Sequence, residues 1–155
     1  MGKQPKWSGI FFEAESSRFQ QLQSLYANND SVVCVNCLVC LEGPNSLSNQ
    51  LSMHRISKFP DLLSIDIDGC DYYLWKEVRL LFPLHRFSID TIYFHQVTRG
   101  GFSPRVVVIE FNPTVPNHVY FIQEGNINIQ QGSSLLALQA LGKELSGHIS
   151  GHYSL

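Results

Sequence analysis

The sequence predicts a doubly wound, mainly parallel α/β sheet, and three observations predict it. Apolar runs that close on acids or amides recur along the chain, as "SGIFFEAE", "DLLSIDI" and "PRVVVIEFNP". Between them lie segments whose apolar residues return at helical spacing. The two kinds of segment alternate as β-α-β-α-β-α-β-loop-α, the order expected of parallel strands joined by helical crossovers. Sheets of this kind bind ligands at the carboxyl ends of their strands.

Each element has its own signature. "SGIFFEAE" is a continuous apolar run ending at Glu13, as expected of a strand buried on both faces. Ser17-x-x-Gln20 reads as a capping box, after which Phe19, Leu22, Leu25 and Tyr26 mark one helical face until Asn28, Asn29 and Asp30 break it. Residues 31 to 41 form the second strand. "GPNSLSNQLSMHRI" reads as a loop with a short helix that turns Leu47 and Leu51 inward. "DLLSIDI" is the third strand. Asp71 is then placed to cap a helix whose Leu74, Trp75, Val78 and Leu81 form an apolar stripe. "PRVVVIEFNP" is the fourth strand, stopped by Glu110, Asn112 and Pro113. A long polar loop leads to a last amphipathic helix, "GSSLLALQALGKEL", capped by Ser133 or Ser134. Residues 79 to 103 have no regular period and read as an irregular insertion, and residues 146 to 155 as a disordered tail.

A chain of 155 residues with 44% apolar residues is long enough for one domain with its own core. The net charge of −2 and the scatter of eleven Lys and Arg leave no basic patch for phosphates, which argues against nucleic acid and anionic membranes as partners. The N-terminus has no apolar signal core, and no run of about 18 apolar residues occurs. A soluble, cytoplasmic protein is the expectation.

Cys34, Cys37 and Cys40 have a C-x-x-C-x-x-C spacing that on a loop would suit zinc or an iron–sulfur cluster. They lie in "SVVCVNCLVC", however, where a strand would turn residues three apart to opposite faces. They are therefore expected to be structural thiols, and no metal is assigned to them. The six histidines, His54, His85, His95, His118, His148 and His152, share no motif. No nucleophile elbow is present, and Cys70 reads as a half-buried inert thiol.

The chemistry is carried by carboxylates. Glu13, Asp66, Asp68 and Glu110 each fall at the carboxyl end of an expected strand, so one sheet edge would gather all four. Such an edge suits hydroxyl and ammonium groups. Glu13 is placed to accept ribose hydroxyls of a nucleoside cofactor. Asp66 or Asp68 can hold a cationic part of the same ligand, or a metal with oxygen ligands. Asp71 is the expected helix cap rather than a ligand contact.

Together, "WSGIFFEAESSRF", "DLLSIDIDGCDYYLWK", "PRVVVIEFNPTVP" and "QGSSLLALQALGKEL" resemble a group of proteins related to FkbM-type S-adenosylmethionine-dependent methyltransferases. The resemblance covers residues 7 to 78 and 104 to 145. It implies a class I methyltransferase, Rossmann-like sheet over residues 1 to 145, with S-adenosylmethionine as the small-molecule cofactor. It makes Glu13, Asp66 and Asp68 the cofactor-binding residues. Asp66 and Asp68 lie beside the reacting methyl group as the catalytic pair, and Glu110 and Asn112 are on the substrate side.

The chain departs from that pattern in four places. Cys70 stands where the family has asparagine, no glycine loop precedes Glu13, residues 79 to 103 interrupt a short connection, and "SGHISGHYSL" replaces a further strand. The sheet is therefore expected to be incomplete, truncated at its first, central strand. Unpaired strand groups cost about 1–3 kcal/mol each when buried. The expectation accordingly divides between a methyltransferase-like protein without its full cofactor loop and a non-catalytic binding or structural module completed by a partner chain at its exposed sheet edges.

Overall fold

The computed structural model of the chain describes residues 7–79, 101–126 and 128–146. Most of the expected 79–103 insertion, with Leu81, and nearly all of the 146–155 tail lie outside the described residues. The element order is β1 (Gly9–Glu13), α1 (Ser16–Leu25), β2 (Val32–Asn36), α2 (Leu47–Met53), β3 (Leu62–Ile65), α3 (Asp71–Arg79), β4 (Val106–Ile109) and α4 (Leu135–Ser146). This is the expected alternation. The chain is mixed α/β, its short parallel strands lie in two small sheets, β1-β2 and β3-β4, and it divides into compact units at residues 1–40 and 41–155. No described helix is long and apolar enough to cross a membrane.

The first unit is a β-α-β crossover. Gly9 pairs with Val32 and Glu13 with Asn36 in a parallel register. Phe11 stacks on Tyr26 at 5.2 Å between ring centroids, and the Cys34 thiol donates to the Leu22 carbonyl, so α1 lies on the Phe11–Cys34 face. The cover is thin: no residue of α1 is buried, and Leu25 is 74% exposed. The capping box does not form. Glu15 occupies the N-cap without a side-chain cap bond, and the Ser17 hydroxyl donates back to the Glu15 carboxylate. The helix starts before Ser17, so Ser17 is a helical residue and not the N-cap that a capping box requires.

The core is in the second unit. Leu47 and Leu51 of α2, Leu74, Trp75 and Val78 of α3, and Ala137, Leu138, Leu141 and Leu145 of α4 are buried, with α3 packed between α2 and α4. Phe102, from the end of the expected insertion, joins them at 2% exposure, held by its N–H donating to the Val78 carbonyl. Ser134 caps α4: its Oγ accepts the Ala137 N–H at 3.2 Å and the Phe121 N–H at 3.0 Å. Ser133 Oγ accepts from the Gln123 N–H instead. One of the two expected serines is thus the cap, and the other ties down the preceding loop.

The strands are not buried on both faces. In β3 and β4, Leu63, Ile65, Val107 and Ile109 are covered to different degrees, while Leu62, Val106 and Val108 are at least half exposed. β-branched runs favour a strand but do not report how many faces it buries. Among the described residues each sheet has helix cover on one side only.

Candidate functional site

Asp66, Asp68 and Glu110 are brought together at the carboxyl ends of β3 and β4. The parallel register sets Ile65 opposite Ile109, and the Glu110 N–H extends the ladder by donating to the Ile65 carbonyl at 3.2 Å. The next residue on each strand is therefore an acid beside an acid. One carboxylate oxygen from each of Asp66, Asp68 and Glu110 lies within 4.8 Å of the others, and all three residues are exposed.

The turn that presents Asp66 and Asp68 is held by Asp71. This residue is 1% exposed, and its two oxygens accept the Ile67 N–H at 3.1 Å and the Gly69 N–H at 2.9 Å. The expectation of a helix cap is corrected in its detail. Asp71 is the first residue of α3 and its carboxylate reaches back into the turn, while the Cys70 carbonyl accepts the Tyr73 and Leu74 N–H groups. Its charge still lies at the positive end of the helix dipole. The clamp leaves Asp68 at φ +57° and Gly69 at φ +143°, with Gly69 against the Ile129 carbonyl and the Gln123 amide.

Gln123 organises that second wall. Its Nε2 donates to the Ile129 carbonyl at 2.6 Å, and its Oε1 accepts the N–H groups of Gln131 and Gly132. Sequence reasoning missed it, because a single glutamine in "FIQEGNINIQQG" carries no period that marks it as buried. Gly69 was more accessible to such reasoning: an Asp-Gly pair after an apolar run is a turn signal.

Crowding alters the chemistry of Glu110. The Glu110 carboxyl is pushed up, first by partial desolvation and then by the charges of Asp66, Asp71 and Asp68 together with a hydrogen bond to Asp66. A raised folded-state pKa means that the stability tied to the protonated form is fully present below the unfolded value, about 4.3, and is lost as pH rises through the folded one. Glu110→Gln is therefore expected to raise the melting temperature at pH 7 and to leave it unchanged near pH 3. The gain is small and shrinks with salt, because exposed charges are screened. A melting temperature lowered at pH 7 would contradict the repulsion.

The expected single sheet edge of four acids is divided: Glu13 ends a strand of the β1-β2 sheet, whereas Asp66, Asp68 and Glu110 belong to the β3-β4 sheet. Asn112 is not part of the acidic group: its Oδ1 accepts the Thr114 N–H at 2.8 Å and the Thr114 hydroxyl at 2.6 Å, closing a local turn. Glu13 ends β1, where its Oε1 accepts the Glu15 N–H at 2.8 Å. Beside it is an open cleft of about 610 Å³ lined by Phe11, Glu13, Arg18, Leu22 and Leu25. An apolar wall next to a carboxylate suits a ring that bears hydroxyl groups.

The cysteines need one correction. Only Cys34 lies within β2; Cys37 and Cys40 follow it, so strand alternation does not govern all three. Cys70 is buried rather than half-buried, and desolvation followed by the Asp71 charge pushes its thiol up, away from the reactive thiolate.

In its acidic cluster the site offers several hard oxygen acceptors at one exposed strand edge, a setting for a cationic centre. No family model, curated protein or solved structure matches the chain.

Proposed function

We propose that the chain is a methyltransferase-like α/β domain whose edge at Asp66, Asp68 and Glu110 receives the cationic part of S-adenosylmethionine. The observation behind this reading is the convergence of three exposed carboxylates at the ends of two parallel strands. Crowded like charges build a negative potential that attracts and retains a cation. The cofactor carries a sulfonium and an ammonium, so the donor set fits it chemically.

When bound, the cofactor supplies an electrophilic methyl group. Asp66 or Asp68 takes up the acceptor's single proton while the other orients the acceptor, and Glu110 borders the acceptor side. Asp71 and Gln123 keep the turn in place while this happens. The resemblance gives Asn112 a place on the substrate side.

Calorimetric titration tests the reading. S-adenosylmethionine is expected to bind about tenfold tighter than the neutral thioether S-adenosylhomocysteine, a difference of about 1.4 kcal/mol. The double substitution Asp66→Asn, Asp68→Asn is expected to erase that preference. Equal affinities in the native chain would remove the charge argument. No heat from either ligand at millimolar concentration would sink the proposal.

A second reading is a binding or structural module that pairs its sheet edges with a partner chain. It is favoured by the two-stranded sheets, since an open edge presents unpaired backbone groups to any extended strand. Sizing chromatography with light scattering is expected, on this reading, to give an assembly heavier than the 17.6 kDa chain. A monomer that melts in one cooperative step would exclude it.

A further inference from the structure

We draw no further inference here: the strongest candidate, the apolar face of the β3-β4 sheet where Leu62, Val106 and Val108 are 50%, 53% and 54% exposed, carries nothing because nothing in the structure shows what covers it.

Discussion

Gly69→Ala is expected to destabilise the second unit by about 2–6 kcal/mol, the sum of backbone strain and overpacking at one position. At φ +143° the backbone is in a region that side chains avoid. The added Cβ would also lie 2.4 Å from the Ile129 carbonyl oxygen and 2.7 Å from the Gln123 Nε2. Those two atoms are hydrogen-bonded to each other at 2.6 Å, so neither can withdraw without breaking the bond that organises the loop. Urea denaturation of the variant and the native chain measures the loss. A midpoint that did not move would mean that Gly69 is not wedged against this wall.

Asp71→Ala is expected to cost about 2–4 kcal/mol, because it strands two amides, one half-buried at Ile67 and one buried at Gly69. Both lost bonds have a charged acceptor, which makes them stronger than neutral ones. Asp71→Asn keeps one oxygen acceptor and is expected to lose about half as much. The Asn variant also has a second readout. Asp71 is one of the charges that push Glu110 up, so its removal is expected to lower the Glu110 titration followed by NMR. A stable Asp71→Ala variant with an unshifted Glu110 would leave Asp71 as an ordinary helix-start residue. If the turn matters for ligand, both substitutions also weaken S-adenosylmethionine binding.

Much of the fold was legible because its signals are local. Leu74, Trp75 and Val78 recur at helical spacing and are all buried, and the β-branched run "VVVI" favours a strand and forms one. Other features were hidden. Ser17-x-x-Gln20 matched a capping box, but α1 begins at Ser16 with Glu15 as its N-cap, and spacing alone does not fix where a helix starts. Phe102 looked like part of an irregular insertion and is a core residue, since its burial depends on α3 rather than on its own neighbours in sequence.

The candidate site divides in the same way. By itself the sequence determined the alternation of strands and helices and the acids at strand ends, because both follow from short-range periodicity and from the need to end an apolar run in polar residues. Only the tertiary structure decided that Asp66, Asp68 and Glu110 share the β3-β4 sheet while Glu13 ends a strand of the β1-β2 sheet, and that Asp71 serves the turn before it. The physical reason is register: the meeting of two acids forty-odd positions apart depends on the parallel pairing of Ile65 with Ile109, a long-range contact that no local pattern encodes.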